Sequence, residues 1–318
     1  MSNNFPLVTF VLLAYNQEEY ISAAVYSALS QDYQNLEIIL SDDCSSDSTF
    51  EIMSAVAAEY SGDHVVKVLR NPENLGLVGH FNEALGRSSG EIIVLAAGDD
   101  ISLPERVSES VNIMLRFPGA AVVAFSDIVM DSRGALVKKP KKEKPMKVLT
   151  LSDFLGRRGP SLSGASKAFR RDVFLRFGCI GDQCPTEDST MTLRSLMLGY
   201  GIRSGKSLIK YRVHDKNLSG IRSLPSLSVT GICNQYIRDA HLAKAEGLID
   251  EGVYDRVVAF AVAETEKRTF RNDLINGGVS LPRWLRFLLS ARFPVREKIS
   301  ALSLRVKLVF GRFGSYRK

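Results

Sequence analysis

Three pairs of adjacent acids, Asp42-Asp43, Asp99-Asp100 and Glu187-Asp188, are the groups along this chain best suited to binding a cation or moving a proton. The first two each close a short apolar run, Leu36-Glu37-Ile38-Ile39-Leu40 and Ile92-Ile93-Val94-Leu95-Ala96-Ala97. Runs of this length that end in a turn read as buried parallel strands, and open α/β sheets bind ligands outside the carboxyl ends of such strands. Both carboxylate pairs are therefore expected to face one crevice. Like charges held together cost energy unless they share a cation or a hydrogen-bonding ligand, so the pairing points to a metal-bridged anionic substrate.

Each pair has a plain alternative. Asp42 and Asp43 could simply close an Asx-type turn, although two acids in succession exceed what a turn needs, and one could accept a hydrogen bond from a nucleobase edge. Gly98 allows a sharp turn before Asp99 and Asp100, and Ala96 and Ala97 leave room beside the strand end, which suits a hard Mg²⁺ or Mn²⁺ that keeps positions open for substrate phosphates. Glu187 and Asp188 stand at a helix start, where acids also complement the macrodipole. A lone His214, in Lys210-Tyr211-Arg212-Val213-His214, gains meaning only from its neighbours.

The flanking sequence supplies the elements that must position these groups. Residues 7–14 predict a first buried strand, and the stretch from Glu18 to Leu29 sets Ile21, Val25 and Leu29 at helical spacing. Ser45-Ser46-Asp47-Ser48-Thr49 offers N-caps for a helix to about Tyr60. A third strand spans Val65 to Leu69, followed by the turn-rich Asn71-Pro72-Glu73-Asn74-Leu75-Gly76 and a helix through Leu85. This alternation on short connections predicts an α/β fold, a mostly parallel sheet flanked by helices. A further strand is expected from Ala121 to Ser126, then a charged, proline-interrupted surface loop over 138–147. Helix and strand mix from Leu151 to about Ser223, including a helix from Thr186-Glu187-Asp188 to Gly199. Beyond Pro225 the pattern is helical, with Tyr236 to Glu246 and Val253 to Leu274 the longest periodic segments. The expected division is a catalytic α/β domain over 1–222 and a helical region over 223–318.

Several classes are disfavoured. The first strand is followed by Ala14-Tyr15-Asn16-Gln17-Glu18-Glu19, with neither GxGxxG nor GxxxxGK[ST], so a dinucleotide fold and a P-loop are not expected. Cys44, Cys179, Cys184 and Cys233 form no CxxC pair, which argues against a zinc site or disulfide framework and fits a reducing cytosol. The amino terminus lacks a basic signal-peptide head, and no stretch reaches the roughly 20 apolar residues of a membrane span, so a cytoplasmic, soluble or peripheral protein is expected. The net charge of +6 is concentrated at the end: residues 283–318 hold ten Lys/Arg against one acid, Glu297. With Trp284, Leu285, Phe287, Leu288 and Leu289 interleaved, residues 281–318 read either as a helical appendage packed on the domain or as a peripheral helix on anionic lipid, and nucleic acid is not expected as a partner.

Taken in order, Thr9 to Ile21, Ser27 to Gln31, Leu40-Ser41-Asp42-Asp43 with Ser45, Asp47 and Thr49, Asn74-Leu75-Gly76, Gly98-Asp99-Asp100 with Leu103-Pro104-Glu105, Glu187-Asp188 with Arg194 and Gly199, and Tyr211-Arg212-Val213-His214 with Ser219 resemble the family-two inverting glycosyltransferases of the GT-A fold. The likeness covers roughly residues 5–220. It implies a nucleotide-diphospho-sugar donor, usually a uridine nucleotide, and a saccharide or lipid-linked saccharide acceptor of cell-surface polysaccharide or lipopolysaccharide assembly. Under it, Tyr15, Asn16, Glu18, Asp42, Asp43, Asn74, Asp99 and Asp100 are the nucleotide-sugar-binding residues. Asp99 and His214 would hold Mn²⁺ or Mg²⁺, and Asp188 would be the catalytic base with Glu187 beside it. Two positions depart from the family pattern: Ala97-Gly98-Asp99 stands where Asp-X-Asp is frequent, and Phe81 precedes Asn82 where a basic residue is common. A catalytically degenerate sugar-nucleotide-binding or scaffold protein of the same fold is the alternative, to which the missing first acid lends weight.

Overall fold

The computed structural model describes residues 5–137, 143–156, 164–215, 217, 228–275 and 279–290, with isolated positions at 295, 298, 299 and 301–303. Its first half is a regular alternation: β1 (Val8–Ala14), α1 (Ile21–Leu29), β2 (Leu36–Asp42), α2 (Thr49–Ala58), β3 (Val65–Arg70), α3 (Gly76–Gly86) and β4 (Ile92–Ala97). These four strands lie parallel in the order β3-β2-β1-β4. Every residue of β1 and β2 is buried. That explains their largely apolar reading, since a strand covered on both faces has no solvent side to alternate with, and the buried Glu37 is held by Thr9 and Lys67.

The side-chain alternation of β1 separates two cores. Val8, Phe10, Leu12 and Ala14 pack with α1, α2 and the later helix α4 (Arg106–Arg116), whereas Val11 and Leu13 pack on the other face with Phe81 and Leu85 of α3. Beyond β4 come the short β5 (Ile101–Ser102), α4, β6 (Ala120–Met130), β7 (Lys147–Leu149) and α5 (Leu151–Leu155). A 3₁₀ turn at Gly164–Ser166 leads into β8 (Lys167–Arg170), followed by α6 (Asp172–Phe177), α7 (Asp188–Leu198) and β9 (Tyr200–Arg212). β8 lies antiparallel between β4 and β6, and β9 runs parallel to β6 with β5 and β7 antiparallel along it.

β6 outruns its expected end at Ser126. Register shifts against β9 at Ala124/Ser126 and Ser126/Asp127 absorb the polar break, so the strand continues to Met130. The charged loop expected over 138–147 ends one residue earlier, because Lys147 pairs with Arg203 at the head of β7; residues 138–142 lie outside the described residues.

The helices α8 (Val229–Ala245) and α9 (Glu251–Ile275) belong to the core on the α3 face of the sheet: Ile232, Tyr236, Ala240, Val257 and Ala261 join the same apolar cluster as Val11, Phe81 and Leu193. The boundary expected at 222/223 lies outside the described residues, as does Ser219. A separate small cluster, Phe270, Leu274, Trp284 and Phe287, seats α10 (Leu281–Leu289) on the end of α9, with the Phe270 and Phe287 rings stacked at 4.0 Å. No described helix is long and apolar enough to cross a membrane.

Candidate functional site

Strand register brings the first two acid pairs to one rim. Ala14 at the end of β1 is the partner of Asp42, and Leu13 is the partner of Ala97. The backbone closes the same edge, with Asp43 N donating to Ala14 O (3.0 Å) and Gly98 N to Leu13 O (2.9 Å). Gly98 is required by space: a Cβ there would lie 2.4 Å from Gln17 Oε1 and 2.9 Å from Ala14 Cβ. The third pair arrives by a different route. β8 is antiparallel to β4, so its first residue, Lys167, sits at the carboxyl end of β4. The fully buried Arg106 fastens that junction by donating from Nη2 to Leu95 O and Ala165 O, each at 2.5 Å. At Gly164 an added Cβ would come within 3.3 Å of Glu187 Oε1 and 3.4 Å of Asp188 Cγ, which fixes the head of α7 against the same turn.

Within the first pair the two acids differ in use. Asp42, wholly buried, accepts from Ser45 N (2.9 Å) and Ser45 Oγ (2.5 Å) and lies 3.5 Å from Arg70 Nε, so it closes the turn between β2 and α2. Asp43 accepts at Oδ1 from Asn71 Nδ2 (2.7 Å) and Leu75 N (3.0 Å), and its Oδ2 has no hydrogen bond among the described residues. His80 backs the pair, its Nε2 2.7 Å from Ser41 Oγ; burial pushes its imidazole below the ordinary value against the pull of Asp43 and Asp42.

Asn16 and Glu18 spend their side chains on a neighbouring loop. Asn16, at φ 51°, accepts at Oδ1 from Ser46 N (2.8 Å), and Glu18 Oε2 accepts from Ser48 N (3.0 Å) at the start of α2. Asn74 is exposed and accepts from Gly76 N at 2.8 Å, ordering the entry to α3. Tyr15 leaves the end of β1 with 46% of its surface exposed, an aromatic face open at the rim.

Asp99 gathers a polar cluster from β9 and the residues after it. His214 Nε2 is 3.0 Å from Asp99 Oδ2, Asn217 Nδ2 is 3.4 Å from the same oxygen, and Arg212 Nε donates to the Asp99 carbonyl at 2.9 Å. Arg212 also lies over the Tyr20 ring at 4.6 Å, and the Tyr20 and His214 rings are 5.0 Å apart. Asp100 takes the Arg212 backbone N–H at Oδ1 (2.9 Å), while its Oδ2 is buried with no hydrogen-bond partner among the described residues. Burial, and then the Asp99 charge, push the Asp100 carboxyl up to about 8. Among the described residues no three His, Cys, Asp or Glu side chains gather as a closed cation cage. A carboxylate and an imidazole sharing one contact, beside an orphaned carboxylate oxygen, nonetheless fit Mg²⁺ or Mn²⁺, which need only one or two protein ligands when substrate phosphates complete the shell.

At the head of α7, Glu187 is buried and Asp188 is 39% exposed. Lys167, 3% exposed, forms an ion pair with Asp188 Oδ1 and donates to the Asp188 carbonyl at 2.8 Å. Burial raises the Glu187 carboxyl, with Lys167 pulling it back, and lowers the Lys167 ammonium to about 7 against the pull of Glu187. Further along α7, Arg194 and Asp239 of α8 make a wholly buried bidentate pair, Nε to Oδ2 at 2.8 Å and Nη2 to Oδ1 at 3.0 Å. Sequence reasoning assigned no role to Lys167, Arg106, Asn217 or Asp239. Only Asn217, three residues after His214, carried a local signal. Two surface cavities open away from this rim, one against Ile237, His241 and Tyr254 of α8 and α9, the other between α4 and β9 near Arg116 and Lys206, and none of the three acid pairs lines either.

A parallel half-sheet joined through an antiparallel strand to a mixed half, with acids on the shared rim, is the architecture of the GT-A glycosyltransferases. Residues 1–349 of S. aureus TarS in complex with UDP-GlcNAc match it with a TM-score of 0.64 at 17% identity, covering 95% of this chain and 81% of that one. The mannosyltransferase PcManGT of Pyrobaculum calidifontis, in complex with GDP-Man and Mn²⁺, matches with a TM-score of 0.55 at 18% identity over 97% and 88% of the two chains. The family model "Glycosyl transferase family 2" matches residues 9–178, more than half of the sequence, and the chain belongs to that family. Among curated relatives, the Escherichia coli UDP-Glc:alpha-D-GlcNAc-diphosphoundecaprenol beta-1,3-glucosyltransferase WfgD is 36% identical over 111 residues, 35% of this chain and 42% of its own. The chain spans less than half the length of several curated relatives it matches.

Proposed function

We propose that this chain is an inverting glycosyltransferase that moves a hexosyl or N-acetylhexosaminyl unit from a uridine-diphosphate donor to a saccharide hydroxyl on a lipid-linked acceptor of cell-surface polysaccharide synthesis. One observation carries the reading: the Glu187-Asp188 pair comes to the strand-end rim that already bears Asp99 and His214. The uridine and the lipid-linked acceptor are drawn from the relatives named above.

The donor diphosphate belongs beside Asp99 and His214, which would hold a divalent ion there. An ion held there would supply positive charge to the departing diphosphate. The exposed Tyr15 ring and Asp43 Oδ2 are the groups for base and ribose. Asp188 is the member of its pair with solvent access, and as a carboxylate it can take the proton of the acceptor hydroxyl while that oxygen bonds to the anomeric carbon from the face opposite the leaving diphosphate. Glu187 is enclosed and held toward its neutral form, so it supports rather than exchanges protons with substrate.

The outer stripe of α10, Leu281, Leu285 and Leu289, is 71%, 50% and 81% exposed, and with Arg286 alongside it is suited to the surface of an anionic membrane where a lipid-linked acceptor resides. The test of the central reading is turnover of UDP-glucose and UDP-GlcNAc with Mn²⁺ by wild type and Asp188→Asn. The variant is expected to lose about 10²-fold or more in transfer while binding UDP as before. Transfer near the wild-type rate would remove Asp188 from the mechanism, and a wild type that binds UDP but turns over neither donor with any acceptor would favour the degenerate binding protein.

A further inference from the structure

Lys167 has no part in the reaction as described, yet it is a buried cation in direct contact with the proposed base. Its ammonium is enclosed at the head of β8, in ion-pair contact with Asp188 Oδ1 and hydrogen-bonded to the Asp188 carbonyl. A lysine is left in such a place only when paired, because an isolated buried ammonium is strongly disfavoured. The surroundings show what it is paired with. From α7 the facing charges are Glu187 and Asp188. From α4, Arg106 reaches the carbonyl side of the strand, with Nη2 3.4 Å from Lys167 O. The adjoining strand β4 carries no charged residue. β6 sets Ala124 opposite Lys167, and its one acid, Asp127, faces Arg106 and Arg203.

We propose that Lys167 is a positioning residue for Asp188, keeping its carboxylate ionised and fixed at the head of α7 so that it is ready to accept the proton of an incoming hydroxyl. This rests on the reading of Asp188 as the base. The pH ranges agree with it. Lys167 keeps its charge below about 7 and loses it above, so the counter-charge is present over the acid range in which an unsupported carboxylate would become protonated. A lysine that only filled space would need no contact with the more exposed of the two acids.

Carboxyl ¹³C NMR of the full chain labelled with [4-¹³C]aspartate tests this without any substrate, the Asp188 resonance being assigned by its loss in Asp188→Asn. In Lys167→Met, which keeps the length and removes the charge, the titration midpoint of that resonance should rise by about one pH unit or more, a tenfold gain in proton affinity. Lys167→Gln, which retains a donor for the Asp188 carbonyl, should show the same rise. A midpoint unmoved in either folded variant overturns the proposal, even if the melting temperature has fallen, since lost packing alone would not move it. If neither variant folds, the wild-type resonance decides. It should show a second inflection near pH 7 as Lys167 discharges, and a single transition refutes the coupling. An Asp188→Asn variant that still transfers sugar would defeat the base assignment while leaving this coupling measurable, so the two failures are distinct.

Discussion

Asp239→Ala should cost this protein about 3–5 kcal/mol, because it strands a guanidinium that has no route to water. Arg194 and Asp239 are both fully buried, joined by two hydrogen bonds of 2.8 and 3.0 Å. Arg194 has one further strong partner, Gly178 O at 2.7 Å, and a distant Met191 sulfur at 4.0 Å, so losing the carboxylate leaves two of its donor positions unpaired around a full charge. The opposite truncation is milder. In Arg194→Met the Asp239 carboxyl, already raised by burial against the pull of Arg194, takes a proton and keeps its 2.8 Å bond from Gln235 Nε2, at a cost of about 1–3 kcal/mol. The double variant Arg194→Met/Asp239→Leu removes both charges and should fall within about 1 kcal/mol of wild type or exceed it. Urea unfolding reads the series: with m near 3 kcal/mol/M, Asp239→Ala should lose about 1–1.7 M in midpoint. A loss under about 1 kcal/mol in Asp239→Ala, or a double variant as unstable as that single one, would refute the argument. The consequence reaches the site, since this pair docks α8 on the helix whose head carries Glu187 and Asp188.

Two further outcomes test the rim and the appendage. Asp99→Ala should weaken Mn²⁺-dependent UDP binding by about tenfold or more, measured by calorimetry with and without the metal, while UDP binding without metal changes little; equal affinities in both proteins would exclude Asp99 from the diphosphate site. Wild type should sediment with phosphatidylglycerol vesicles and be released as salt rises, and Leu285→Glu/Leu289→Glu should sediment several-fold less; identical sedimentation would leave α10 as a packing element only.

The parts legible in the sequence are those written locally. β1, β2 and β4 announce themselves as largely apolar runs, and an acid placed at or just after the end of such a run is fixed at the rim by strand register, so the run itself locates Asp42, Asp43, Asp99 and Asp100. Which of two adjacent acids keeps a carboxylate oxygen unbonded among the described residues was not legible, because that depends on partners such as Ser45, Asn71 and Leu75, whose donors converge only after the turns form.

The remainder is written across long separations. Arg212 reaches Asp99 over 113 residues, and Arg194 reaches Asp239 over 45, and neither pairing leaves a periodic trace. Lys167 shows the difference most sharply. In Gly164-Ala165-Ser166-Lys167 it reads as an ordinary polar residue before a strand, and nothing nearby marks it as buried. Its meaning comes from the direction of β8: insertion antiparallel between β4 and β6 carries the start of that strand, not its end, to the rim where α7 begins. Had β8 run parallel, the same lysine would lie at the opposite edge of the sheet, away from the third acid pair. The direction of β8 therefore decides whether the head of α7 meets the buried Lys167 ammonium or stands without it.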